Sequence, residues 1–355
     1  MDDLQRKVKF NALRTRVAQN VVGALPDEYL KRVVSRAVFL GVDVFLVYGP
    51  QVKNRLLRAG DLLPGVEAAL RARIEKLSRD YQGQYDKIRD SMTAHRHKLE
   101  LTDLMSSWNS IDEAAVCVLG DEVVDMSRQL VTECDLGKHI EHLDRVSEEF
   151  LAKHVSSMPG PEGVRFSADA LALARPNTVG LLPCHPDQEK LARLLSIVDM
   201  LEVVGSLARF SVSFPMVHEL MWTLLLIDGL NVIDGLYDDA EGDPALLSRW
   251  SATAHGGVSV LSRAGLARDV GIEAKARDVR NHFAAHIDSA MSMDAIAAEV
   301  VSAPLPGFWT YVMEHVRKMH EAASCDTTTC FLCMRNARLE GLTATHGGFS
   351  KPFKA

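Results

Sequence analysis

The sequence is poor in aromatic residues, at 6%, and in the Tyr, Thr and Ile mixture from which sheets are built. No convincing run alternates apolar with polar residues, so stacked or closed sheets are not expected. Positive charge is also short. Forty Lys and Arg face 47 Asp and Glu, for a formal net charge of -7. A protein that coats nucleic acid by bulk charge is basic, so a nucleic-acid partner would have to meet a local patch. The opening "MDDLQRKVKF" lacks the apolar centre of a secretory signal. Wholly apolar runs such as "WTLLLI" are too short to span a bilayer, and no membrane partner is expected. Cys117, Cys134 and Cys184 are scattered, which suits a reducing cytoplasm better than a disulfide framework.

What the chain does have is helical texture, with Ala, Leu, Val and Arg abundant. Its 355 residues suggest about two domains. Apolar spacing predicts helices over 27–47, 64–99 (one long helix or two in line, with Gly83 a possible break), 103–135 and 137–154. Residues 157–187, with five prolines and three glycines, read as a linker. Further helices are predicted over 188–213, 216–237, 244–264, 272–288, 293–302 and 306–323. The expected fold class is all-α: two helical bundles, 1–156 and 188–323, joined by 157–187 and followed by a Cys-containing tail, 324–355.

The two bundles carry a shared signal. Sliding the chain by 191 residues lays "RDSMTAH" (89–95) on "RNHFAAH" (280–286). Arg89 falls on Arg280, Asp90 on Asn281 and His95 on His286; apolar Ile88 falls on Val279 and Met92 on Phe283. Eight residues beyond each histidine, Asp103 falls on Asp294, where a next helix would begin. The bundles therefore read as a tandem repeat, a pseudo-dimer within one chain.

Six residues along an α-helix leave two side chains about 120° apart. One such helix gives only an open, lopsided site. Two of them about a pseudo-twofold axis can bring two arginines and two histidines together. That set suits cleavage of an RNA phosphodiester. A neutral imidazole takes the proton of the ribose 2′-OH, and a second imidazole or an arginine-bound water protonates the leaving 5′-oxygen. Guanidinium groups hold the phosphate oxygens in the transition state. This chemistry calls for no cofactor, leaves a 2′,3′-cyclic phosphate, and spares DNA, which lacks the attacking hydroxyl. Arg89, His95, Arg280 and His286 are the candidate catalytic residues. Asp90 and Asn281 are expected to orient a partner, either a histidine tautomer or an arginine across the interface.

Both stretches match the Arg–polar–x4–His signature, and in this the chain resembles the HEPN superfamily of all-α domains. The resemblance implies a metal-independent endoribonuclease with a composite site at a domain dimer, carried by Arg89, Asp90 and His95 with Arg280, Asn281 and His286. It also implies a toxin or antiviral defence effector, with RNA as substrate and an antitoxin or defence-system component as possible partner. The two motifs could meet within one chain or across a homodimer. The alternative is a helical RNA- or protein-binding module that keeps the motif without cleaving.

Other residues have plainer readings. His97, seven residues after Asp90, is a candidate supporting contact, and Arg96 and Lys98 are candidate RNA contacts; His282 also lies inside a motif stretch. Residues 71–100 form the basic patch, which is equally a solvated helix face. Trp108 and Trp222 could stack on a base, though a core role is the commoner one. Asp228, Asp234, Asp238 and Asp239 read as a surface cluster. "HGGVS" (255–259) and "HGGFS" (346–350) read as turns. Cys325, Cys330 and Cys333 offer a weak zinc possibility, since a complete second ligand pair is missing.

Overall fold

The computed structural model describes residues 2–25, 28–85, 110–131, 136–154, 214–237, 267–284 and 287–323, the pairs 254–255 and 258–259, and seven single positions between 197 and 208. The described part is all-α apart from one very short strand pair. Its helices are α1 (Asp3–Ala24), α2 (Glu28–Ala59), α3 (Pro64–Gln84), α4 (Glu113–Leu130), α5 (Leu136–His154), α6 (Pro215–Tyr237), α7 (Val270–Val279), α8 (Met293–Ser302) and α9 (Leu305–Ala323). Between α7 and α8, Arg280–Ala284 form a π-helical turn.

The first helix is one the apolar pattern does not reveal. Half of its buried positions are polar: Gln5, Lys7, Asn11, Arg14, Thr15 and Gln19. Each long polar group meets a backbone carbonyl of another element. Gln5 donates to Leu130 O at 3.2 Å, Asn11 to Gly41 O at 2.7 Å and Gln19 to Cys117 O at 2.7 Å. These bonds offset part of the cost of burying the side chains, while Asn11 Oδ1 and Gln19 Oε1 stay buried without a hydrogen-bond partner among the described residues. Asp2 caps the helix by accepting from Gln5 N. Packed on α2, α4, α5 and α6 and touching α8, α1 is the central strut of the fold.

Local chemistry sets the other boundaries. The second helix runs on to Ala59, beyond the 27–47 expected. It ends where Gly60 adopts a φ of 80° and the amides of Gly60 and Asp61 bond back to Leu57 O and Leu56 O. That pair of bonds is a Schellman closure, which favours glycine. Of the 64–99 prediction, residues to Tyr85 are described, and helix α3 covers Pro64–Gln84 with Tyr85 as its C-cap. Where a helix was expected from residue 103, the described helix begins at Glu113, because the Asp112 carboxylate accepts from the amides of Ala114 and Ala115. The predicted helix over 244–264 does not hold through 254–259. There Ala254 pairs with Ser259 and His255 with Val258 in antiparallel register. The two glycines on which the turn reading of "HGGVS" rests, Gly256 and Gly257, lie outside the described residues.

Core residues from Val8 to Val316 join one hydrophobic cluster, so the two halves share an interior. Residues 30–59 and 215–237 hold windows apolar and long enough to cross a bilayer, more than the short uninterrupted runs suggested. Most of each window is buried against the rest of the protein, as in core helices.

Candidate functional site

The second motif begins where α7 gives way to the π turn. Asp269 caps α7 by accepting from Ile272 N. The predicted helix over 272–288 is α-helical only to Val279, and the turn widens at Arg280–Ala284. Such widened turns often occur at functional positions in helices. Arg280 is partly buried; its Nε and Nη2 donate to Asn281 Oδ1 at 3.2 and 3.1 Å. Among the described residues, Asn281 thus ties its own neighbouring arginine. Withdrawal from water pulls the Arg280 pKa down, and the nearby Asp234 carboxylate offsets part of that.

Three residues before Arg280, Arg277 is held in a two-pronged pair with Asp234 of α6: Nη1 to Oδ2 at 3.0 Å, with Nη2 on Oδ1. Glu273, one turn earlier, takes bonds from Arg268 at 3.0 and 3.1 Å and from the Tyr311 hydroxyl of α9 at 2.6 Å. Burial and that carboxylate push the Tyr311 pKa up, so it stays a donor. Tyr237 and His315 bond at 2.8 Å beside this group, and Arg268 lies 5.1 Å from the Tyr237 ring. The face of α7 leading to Arg280 is thus fixed by alternating charges.

His282 is held between two acids. Its Nδ1 lies 2.9 Å from a Glu299 oxygen, and its Nε2 lies 3.7 Å from Asp288. The bond to Glu299 ties the π turn to α8. Asp294 sits in the first turn of α8, as the acid-started helix required, with Ser292 as its cap and Arg6 as its ion-pair partner at 2.6 Å.

On the other side of the π turn, Arg14 of α1 donates to Phe283 O at 3.2 Å. Its Nε and Nη2 are buried without a hydrogen-bond partner among the described residues. Burial lowers its pKa to about 10, and its charge faces Glu219 of α6, whose pKa burial raises to about 7. Neither residue stands out in sequence, because nothing in the local pattern marks a charged residue as buried.

Arg89, Asp90, His95, Arg96, His97 and Lys98 lie outside the described residues, as do Trp108, His286, Asp238, Asp239, Cys325, Cys330 and Cys333. Of the four candidate catalytic residues, Arg280 is the described one. The other readings can be compared directly. Asp228 and Asp234 are not surface acids: both are buried, Asp228 against Arg36 and Asp234 against Arg277. Trp222 is a core residue whose Nε1 donates to His218 Nε2 at 3.0 Å, which leaves His218 Nδ1 to donate to Ala208 O at 3.1 Å. In the described part of the basic patch, Arg73 is bonded to Glu122 and Lys76 to Asp80, while Arg71 and Arg79 are exposed. Burial pushes the Cys117 thiol up, away from a reactive thiolate. Among the described residues no group of three His, Cys, Asp or Glu side chains is placed to hold a metal.

Comparison with protein-family models, with curated proteins and with solved structures finds no match for this chain.

Proposed function

We propose that the protein is a metal-independent endoribonuclease of the HEPN type. On this reading Arg89, His95, Arg280 and His286 form one composite site, within the chain or across a homodimer, and RNA is cut to 2′,3′-cyclic phosphate ends. The observation that carries it is the repeated motif, "RDSMTAH" and "RNHFAAH", at an offset of 191 residues. The surroundings of Arg280 support it. Asn281 engages Nε and Nη2, and Nη1 has no hydrogen-bond partner among the described residues. A guanidinium fixed by two donors with a third nitrogen available is suited to a phosphate oxygen. A cytoplasmic toxin or antiviral effector is the biological role that fits such an activity.

The test is incubation of the purified protein with total RNA in EDTA. Cleavage that disappears in both His95→Ala and His286→Ala supports the proposal. Intact RNA with retained binding favours a non-catalytic RNA-binding module.

A further inference from the structure

The backbone at Phe283 and at residues 287–291 is held from the first half of the chain. Backbone carbonyls outside the regular helical ladder need partners from elsewhere, and at the end of the π turn and in the loop before α8 side chains of α1 and α2 supply them. Arg14 Nη1 reaches Phe283 O at 3.2 Å. The Tyr48 hydroxyl donates to Ile287 O. Lys7 Nζ donates to Asp288 O and to Met291 O, both at 2.7 Å. Lys7 is only 1% exposed; its ammonium also pairs with Asp3 at 3.2 Å and lies 5.3 Å from the Tyr48 ring. Asp3 Oδ1 in turn accepts from Met293 N at 2.8 Å.

Two features set this apart from ordinary packing. The bonds to 283, 287, 288 and 291 all go to main-chain oxygens, so they fix the path of the backbone whatever its side chains are. They also require a buried ammonium, which an apolar side chain of similar length would avoid at lower desolvation cost. Burial and the nearby Asp288 and Asp3 hold the Tyr48 pKa up at about 12, so its hydroxyl keeps its proton.

We propose that Lys7 and Tyr48 are positioning residues for the second motif: they clamp the backbone of residues 287–291, which follow that motif directly in the chain. The catalytic part of this inference rests on the nuclease reading above. The first half of the chain would then supply more than its own motif; it would hold the second motif in shape.

The test uses the full chain carrying Tyr48→Phe, Lys7→Met or Lys7→Arg. Amide hydrogen exchange is followed by peptide, and the His286 ring signals by NMR. The clamp predicts exchange about tenfold faster over 284–292 in Tyr48→Phe and Lys7→Met, with α4 and α5 unchanged. It also predicts that the His286 ring signals move while those of His218 and His315 stay. Lys7→Arg should regain part of the protection. In RNA cleavage, kcat should fall about tenfold with KM within about twofold. Unchanged exchange over 284–292, or acceleration spread evenly over the chain in both variants, overturns the clamp. Failure of the unsubstituted protein to cut RNA counts against the nuclease reading alone, because exchange and ring signals still decide the clamp.

Discussion

Arg36 and Asp228 form a two-pronged ion pair in which neither side chain is exposed: Nη1 and Nη2 each donate to a different carboxylate oxygen at 2.8 Å. The pair joins α2 to α6, so it links the two halves through their shared core. The guanidinium Nε is turned to Val33 O at 2.8 Å.

Desolvating two charges consumes most of what their attraction returns. Removing one partner is far worse, because it strands the other. Arg36→Met or Asp228→Leu alone should therefore cost about 3–5 kcal/mol in urea unfolding. The double variant should cost clearly less than the sum of the two. Additive losses in this double-mutant cycle would show that the pair contributes little by its own pairing.

Gly41 marks a close approach of α2 to α1. A Cβ placed there would land on the Thr15 hydroxyl, and Gly41 O already accepts from Asn11. Thr15 cannot swing away freely, since its hydroxyl donates to Asn11 O at 2.8 Å. Gly41→Ala should thus destabilise the protein by about 1–3 kcal/mol through overpacking, despite alanine's better helix propensity. Gly23 has open space around the same added atom, and Gly23→Ala is the control that should not destabilise. Equal unfolding midpoints for the two variants would contradict the crossing geometry.

The same crossing shows what sequence could convey and what it could not. The all-α class was legible, because apolar residues recur at helical spacing in α2, α5, α6, α8 and α9. The acid in the first turn of α8 was legible too, since a cap or first-turn acid is a local property. The first helix was not, because Gln5, Asn11 and Gln19 look like solvent-facing residues until the carbonyls of Leu130, Gly41 and Cys117 arrive from elsewhere. Asp228 and Asp234 were misread as surface acids for the same reason: their partners lie 192 residues before and 43 residues after them. At the candidate site, the motif marked Arg280 and Asn281 as polar neighbours, but not that Asn281 would bond Arg280 itself. The π turn, the His282–Glu299 bond and the carbonyl clamp depend on long-range contacts that no short pattern encodes.

Glu219 makes stability depend on pH in an unusual direction for a carboxylate. Its folded pKa is raised to about 7, above the ordinary 4.5, because burial disfavours its charge more than Arg14 favours it. Between those values the folded state binds more protons than the unfolded one. Its contribution is therefore present at low pH and lost as pH rises through the folded value. Unfolding free energy should fall between pH 5 and 7 by up to about 3 kcal/mol from this group. Glu219→Gln keeps the shape and removes the titration. Denaturant unfolding at several pH values should show the decline in the parent and a flatter profile in the variant. A parent profile that rises over the same window with no change in Glu219→Gln would refute the assignment.

Arg280→Lys tests the nuclease reading at the described motif residue. Lysine keeps the positive charge but loses the planar fork, so it cannot bond Asn281 Oδ1 through two nitrogens and offer a third to phosphate. Because the side chain is only partly buried, the fold should tolerate the change. Catalysis should not. Loss of one guanidinium from a phosphate-binding transition state is expected to lower kcat/KM about 10²- to 10³-fold. The measurement is single-turnover cleavage of an RNA oligonucleotide in EDTA, with the product ends analysed for cyclic phosphate. The same oligonucleotide with a 2′-deoxy sugar at the cut site should resist the parent protein, because the attacking hydroxyl is gone. Cleavage of the deoxy substrate at the same linkage would mean that the nucleophile is water rather than the ribose. Full activity in Arg280→Lys would mean that a point charge is enough, and the bidentate role given to this guanidinium would then have to be abandoned.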